Sequence, residues 1–330
     1  MKLQERIELL VELGKHLLSK DEVWEKCKQN AQIQNSWFTK DFIELSVQNI
    51  ATNFLQKSLL ENWTNKLQNE NLNPKTIGVV MAGNIPLVGL HDFLSVFISG
   101  NKIKIKASTK DELLIKHITN WIQTKHPEAN ELIQYFEILK NCDAFIATGS
   151  NNSSRYFEYY FGKYPNIIRK NKTSVAILEG NEQAQDLENL ADDVHLYFGL
   201  GCRNVTKIYV PENYDFIPLL AAFNKYKYFS EHHKFKNNYD YNLALHILNN
   251  KFYMSNGTIL LVENESNFSA VSQLHYEYYS DKEAVIKKLN SSEDLQCIVA
   301  KKHLPFGKAQ CPSLTDYADG VNTLDFLENL

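Results

Sequence analysis

The chain has 330 residues, 44% hydrophobic and 22% charged, with a formal net charge of -4 and a pI near 6.2, which is the make-up of an ordinary soluble globular protein with enough apolar material for two domains. No global basic field points to nucleic acid, no apolar run approaches the roughly 20 residues that cross a bilayer, and the opening Met1-Lys2-Leu3-Gln4-Glu5-Arg6 does not read as a secretory signal. The five cysteines, Cys27, Cys142, Cys202, Cys297 and Cys311, are odd in number, scattered and without a CxxC pair, so reduced thiols in a cytoplasm are expected rather than a disulfide frame or a metal site.

In chain order, Ile7, Leu9, Leu10, Leu13, Leu17 and Leu18 recur at helical spacing, and helical patterns run on through Phe42 to Leu67, giving a helical preface. Asn71-Leu72-Asn73-Pro74 breaks the pattern, and Thr76 to Met81 reads as a fully buried strand. Ala82-Gly83-Asn84-Ile85-Pro86-Leu87-Val88-Gly89 follows as a strand-to-helix turn with Pro86 near the first helical position, before the apolar run Leu90 to Ile98. Gly100-Asn101 ends that helix in the left-handed manner, Lys102 to Lys106 alternates as a second strand, and a helix follows from about Asp111 to Lys125. This is a βαβ unit.

Cys142 to Ala147 is another short buried strand. Thr148-Gly149-Ser150-Asn151 then reads as a helix N-terminus, which aims N–H groups at the carboxyl edge of a parallel sheet, where phosphates bind; simple chain reversal is the plainer alternative. Lys172 to Leu178 reads as a strand and Asp186 to Tyr197 as a helix leading into Gly199-Leu200-Gly201-Cys202-Arg203, with Lys207 to Val210 the strand beyond it. A helix near Ile217 to Tyr228 follows, then a polar aromatic stretch from Phe229 to Tyr241, a hairpin or loop at Ser255-Asn256-Gly257-Thr258 and a strand from Ile259 to Val262. No internal repeat or low-complexity tract interrupts this order.

Cys202 sits between a glycine-punctuated loop and a β-branched run, so its thiol should project from the mouth of a strand. A cysteine is most often a small buried hydrophobe, but a nucleophilic one needs nearby positive charge or backbone N–H groups, and Arg203 and the loop amides offer both. His232 and His233 could deprotonate the thiol or protonate a departing one; neighbours on regular structure point apart, and His233 is the one expected to face the site. Pro305-Phe306-Gly307-Lys308 and Gln310 read as a loop closing over a substrate, or as an ordinary turn.

Asn84-Ile85-Pro86, then Gly100-Asn101 with the Lys106-Ala107-Ser108 strand end, then Thr148-Gly149-Ser150, then Gly199-Leu200-Gly201-Cys202, stand in the order of landmarks of the aldehyde dehydrogenase superfamily. More closely, Gly83-Asn84-Ile85-Pro86-Leu87-Val88, the segment Arg155 to Pro165 and Tyr317-Ala318-Asp319-Gly320-Val321 resemble the acyl-CoA reductases of the LuxC type, the fatty-acid reductases of bacterial luminescence, from about Ile77 to the end. The resemblance implies an α/β, aldehyde dehydrogenase-like fold. Residues 1-195 would form the helical preface and a Rossmann-type dinucleotide-binding domain, and residues 196-330 an α/β catalytic, acyl-binding domain with a C-terminal closing segment, the site lying in the cleft between them.

It implies Cys202 as the acyl-accepting nucleophile and Asn84 as a holder of the oxyanion, with Lys106, Ser108, Thr109, Gly149 and Ser150 against the cofactor. Thr109 and Lys110 stand where cofactor sites that prefer NAD often carry an acid, which favours NADPH. The general-base glutamate of the classical dehydrogenases has no counterpart in Ile167-Ile168-Arg169-Lys170-Asn171-Lys172, so an acyl-enzyme would be harder to hydrolyse and easier to reduce. The expected activity is NADPH-dependent reduction of a fatty acyl thioester, from acyl-CoA or an acyl carrier protein, to an aldehyde, in a cytoplasmic protein that allows a homo-oligomer and binds neither nucleic acid nor a metal. Two alternatives stay open: a cysteine acyltransferase or thioesterase without cofactor, and a non-catalytic acyl-binding scaffold.

Overall fold

The computed structural model describes residues 1–68 and 70–330. They form two compact units, Met1–Asn171 together with Pro312–Leu330, and Lys172–Cys311. The division therefore falls at Asn171/Lys172 rather than at 195/196, and the last segment returns to the first unit instead of closing the second. The strand that begins at Thr173 pairs with the strand after Cys202, which is why the second unit starts before the cysteine helix and not after it.

The first unit opens with α1 (Leu3–Leu17), α2 (Glu22–Gln34), α3 (Lys40–Asn53) and α4 (Lys57–Trp63). α1 buries Ile7, Leu9, Leu10, Leu13 and Leu17, while Leu18 lies outside the helix and is exposed. Then come β1 (Thr76–Val80), α5 (Leu90–Ile98), β2 (Lys102–Lys106), α6 (Glu112–Lys125), β3 (Ile133–Tyr135), β4 (Ala144–Thr148), α7 (Asn151–Phe161) and β5 (Asn166–Arg169). The sheet order is β3-β2-β1-β4-β5, all parallel, with Ile77 opposite both Ile103 and Ala144. The chain leaves β1 on one side and returns on the other through β4, so the loops after these two strands part at the carboxyl edge, the position at which open α/β sheets generally bind ligands.

α5 starts at Leu90, four residues later than Pro86 suggests, and the reason is local. Leu87 has a left-handed φ of 59°, and its N–H donates to the Asp111 carboxylate at 2.8 Å instead of entering a helix. Gly100, with φ 77°, does end the helix turn as expected, and the buried Arg6 guanidinium lies where a side chain at that position would go.

The second unit holds β6 (Thr173–Ile177), α8 (Ala184–His195), β7 (Val205–Pro211), α9 (Ile217–Phe223), α10 (His233–Leu248), β8 (Met254–Ser255), β9 (Leu260–Glu263), β10 (Gln273–Tyr279), α11 (Lys282–Asn290) and β11 (Leu295–Val299). Its sheet runs β11-β6-β7-β10-β9-β8, parallel except for the β8–β9 pair. The stretch Phe229 to Tyr241, read as polar and aromatic, contains the start of α10. α12 (Thr323–Glu328) completes the first unit, where Leu314, Leu324 and Leu327 enter the core and Arg169 donates to Ala318 O at 2.5 Å and Thr323 Oγ1 at 3.0 Å.

Candidate active site

α8 ends at His195, and the chain then makes a left-handed turn through Tyr197 (φ 55°), Phe198 (φ 56°) and Gly199 (φ 73°). A non-glycine residue in this region costs roughly 1–2 kcal/mol and persists only where the surroundings over-determine it. Burial of the Tyr197 and Phe198 rings is one such constraint. Asn204, fully buried, is another: its Nδ2 donates to Asp193 O at 3.1 Å, Val194 O at 3.3 Å and Leu196 O at 2.8 Å, and its Oδ1 accepts from the Gly201 amide at 2.8 Å. One amide thus satisfies the carbonyls at the end of α8 and fixes the turn that carries Cys202. The Asn204 backbone closes the same loop, its N–H donating to Gly201 O and its carbonyl accepting from Ser174 N, both at 3.1 Å.

Cys202 is half-buried at the tip of this turn, ahead of β7. Arg203 follows it and donates from Nε to Ala309 O at 2.5 Å. Asp193, buried on α8, accepts from Gly307 N at 2.7 Å and Ala309 N at 2.9 Å; burial lifts its pKa to about 6 against the pull of those two amides. The segment from Pro305 to Gln310 is therefore tied down beside the cysteine turn by α8 and Arg203.

The two adjacent histidines are placed differently at the start of α10. His233 is exposed in the first turn of α10, whereas the His232 ring packs on Phe198 with centroids 4.3 Å apart and accepts from Phe235 N at 3.3 Å, capping α10. The cap needs His232 at that position, which turns its neighbour outward. His195 is buried against Tyr226, with ring centroids 4.8 Å apart, and donates from Nδ1 to Ala191 O at 2.8 Å; burial drives its pKa down to about 4.

The remaining expected residues lie in the first unit, after β1, β2 and β4. Asn84 is exposed in the loop after β1. Lys106 ends β2 and is exposed, as is Thr109, and half-buried Ser108 fills the space beside Gly83, where an added Cβ would come within 2.6 Å of its Oγ. Gly149 leaves room for Ser153 and Phe157, and Ser150 is the N-cap of α7, accepting from Ser153 N at 3.3 Å. The loops of Asn84, Ser108 and Gly149 thus follow parallel strands at one edge of one sheet. Asp111, the first carboxylate after β2, is buried against Leu87 N, and burial pushes its pKa well up.

No carboxylate lies on β5 or in the turn after it. Arg169 there is buried and paired with Asp92 at 2.7 Å. Glu179, beyond β6, is held by Lys282, and the ion pair lowers its pKa. Asn204 and Asp193, which organise the cysteine turn, were not singled out from the sequence. An Asn two residues after Cys202 and just ahead of a β-branched run is a visible turn signal, while nothing local marks Asp193. Among the described residues no group of three or more His, Cys, Asp or Glu could hold a metal ion, and no helix is long and apolar enough to cross a membrane.

No protein-family model matches the sequence, and no curated protein matches it. Solved structures do match. Succinic semialdehyde dehydrogenase from Streptococcus pyogenes, solved with NADP+, superposes with a TM-score of 0.68 at 15% identity over 91% of this chain and 77% of that one. An aldehyde dehydrogenase from Bacillus cereus in complex with NAD+ gives a TM-score of 0.64 at 13% identity over 89% and 70%, and one from Mycobacterium tuberculosis, also with NAD+, gives 0.63 at 14% over 89% and 72%. The fold is that of the aldehyde dehydrogenases, with a Rossmann-type sheet in the first unit and an α/β second unit.

Proposed function

We propose that this chain is a nicotinamide-dependent oxidoreductase that reduces a fatty acyl thioester, from acyl-CoA or an acyl carrier protein, to the aldehyde through an acyl-enzyme on Cys202. The observation that carries the reading is the cysteine turn: a half-buried thiol on a left-handed, over-determined loop, in a chain whose β5 segment offers a paired arginine where hydrolytic chemistry would need a base. In this reading the Cys202 thiolate attacks the thioester carbonyl, the bond to the departing thiol breaks, and that sulfur leaves as thiolate and takes up a proton. The backbone N–H of Cys202 stabilises the oxygen as charge builds on it, and one such donor is worth roughly 3 kcal/mol. When bound, a reduced nicotinamide would supply the hydride to the acyl carbon. The resulting thiohemiacetal on Cys202 then collapses, returning the thiolate and releasing the aldehyde.

The first unit supports the cofactor assignment. Lys106, Ser108 and Thr109 after β2 and the Gly149–Ser150 turn ahead of α7 offer cations, hydroxyls and amides at a sheet's carboxyl edge, the setting in which dinucleotide phosphates bind. Exposed Lys106 and Lys110, together with an Asp111 that faces inward, favour a 2′-phosphate and so NADPH. The solved relatives in fold carry NADP+ in one case and NAD+ in others.

Purified protein with NADPH or NADH and a panel of acyl thioesters tests this. The expected result is oxidation of the cofactor matched by aldehyde, with acyl-Cys202 found by mass spectrometry and lost in Cys202→Ala while the melting temperature is kept. Aldehyde formation by Cys202→Ala would overturn the mechanism. Thioester consumption without cofactor oxidation would turn the reading to acyl transfer.

A further inference from the structure

The two carbonyls that flank the Cys202 α-carbon are both tied down. Gly201 O accepts from Asn204 N and Cys202 O accepts from the Ser174 hydroxyl, each at 3.1 Å. A trans peptide is planar, and its N–H points opposite to its own C=O. The Cys202 N–H is therefore turned away from Asn204, and the Arg203 N–H away from Ser174.

Ser174 is fully buried at the start of β6, and it has a second neighbour. Its Oγ lies 3.0 Å from the Sγ of Cys297, directly opposite on β11. A hydroxyl has one proton to give, and a carbonyl can only accept. With that proton committed to Cys202 O, the Cys297 S–H is the donor to Ser174 Oγ. The order is thiol to hydroxyl to carbonyl, across three chain segments of the second unit.

We propose that Ser174 is a positioning residue for Cys202, holding the Cys202–Arg203 peptide so that its N–H joins that of Cys202 as a donor to the oxyanion at the acyl carbon, and that the Cys297 thiol keeps the Ser174 hydroxyl pointed at its carbonyl. This rests on the reading of Cys202 as an acyl acceptor. It assigns functions to a serine and a cysteine that never touch the substrate.

Two reactions of one thiol separate the possibilities. Acylation by an acyl-CoA builds an oxyanion, whereas alkylation by iodoacetamide at Cys202 does not. Both are followed on the full chain by mass spectrometry of the Cys202 peptide. Ser174→Ala should slow acylation roughly tenfold, the scale of one hydrogen bond, and leave alkylation within about twofold of wild type. Cys297→Ser, which keeps an O–H donor, should acylate as wild type does, and Cys297→Ala should be slower. If Ser174→Ala does not fold, the contrast between Cys297→Ser and Cys297→Ala carries the same test. A wild-type Cys202 that takes no acyl group sinks the reading of the preceding subsection, whatever Ser174 does. If wild type acylates, then unchanged acylation in Ser174→Ala, or equal slowing of both reactions, overturns the role of Ser174.

Discussion

Asn204 ties the end of α8 to the turn that carries Cys202 through a single side chain. Its amide group holds the carbonyls of Asp193, Val194 and Leu196 and the N–H of Gly201 with no exposure to solvent, so each of these groups would lose its partner in a place where water does not replace it. Asn204→Ala should therefore cost about 2–4 kcal/mol of unfolding free energy, well above a typical surface change. Asn204→Asp is the sharper variant. It has nearly the same shape but sets a carboxylate oxygen against three carbonyl oxygens, and it should be at least as destabilising as alanine. Urea denaturation of the two variants beside wild type decides this, and an aspartate variant as stable as wild type would show that the three carbonyls are not held through the side-chain N–H groups. The left-handed Tyr197 and Phe198 make a second consequence follow: with the amide gone the turn has less to oppose its backbone strain, so Cys202 alkylation should lose its single rate.

Strand β7 shows how the second sheet tolerates charge beside this turn. Lys207 has no solvent exposure, donates to Glu265 O at 2.7 Å and Glu277 Oε2 at 2.5 Å, and lies over the Tyr209 ring at 4.7 Å. Glu277, on the neighbouring β10, keeps some solvent contact and a second cation in Lys288 at 3.6 Å. The pair is asymmetric. Glu277→Leu strands a buried ammonium and should cost about 3 kcal/mol, whereas Lys207→Met leaves a carboxylate that retains Lys288 and water and should cost less. Equal losses in chemical denaturation would count against the asymmetry. The same strand explains what the sequence discloses. β1, β4 and the apolar part of β7 are short buried runs, legible because both faces of a parallel sheet are covered. α10 is hidden because Phe235, Tyr239, Asn242 and His246 face inward while Tyr241, Leu245 and Leu248 face out, so no apolar stripe contrasts with a polar one. β10 escapes for a related reason: Gln273–Tyr279 mixes His, Glu and Tyr, some of whose polar atoms find tertiary partners, such as Leu178 O for the Tyr279 hydroxyl. The loops of Cys202, Asn84 and Gly149 are visible in the sequence because glycines punctuate them locally, whereas Ser174 and Asp193 act across 28 to 116 residues of separation and leave little local trace, and Asn204, which reaches back 3 to 11 residues, shows only as a turn residue.

Folding the chain buries imidazoles more often than it pairs them with acids. His16, His91, His117, His195, His246 and His275 all have lowered pKa values, and in each case burial is the largest cause. His16 and His117 meet Nε2 to Nε2 at 2.9 Å, where one ring must stay unprotonated to accept. A group whose pKa is lower in the fold than in the unfolded chain binds fewer protons when folded, so its contribution to stability declines as pH falls below about 6.5. Asp193, raised to about 6, has the opposite sign: it keeps a proton in the fold that the unfolded chain releases, which offsets part of the loss between roughly pH 6 and 4, and Asp111, also raised by burial, acts in the same direction. The histidines outnumber them, and stability should decline from pH 7.5 to 5. His195 isolates one contribution, because its pKa falls to about 4 and its Nε2 is buried without a partner among the described residues. Its protonation in the unfolded chain alone should remove about 2 kcal/mol by pH 5. His195→Phe keeps a ring against Tyr226 and gives up the bond to Ala191 O, a loss of about 1 kcal/mol that does not depend on pH. The variant should therefore be the less stable protein at pH 7.5 and the more stable one at pH 5. Denaturation at the two pH values reads the crossing directly, and parallel curves for wild type and variant would mean that His195 takes up its proton in the fold as readily as in the open chain.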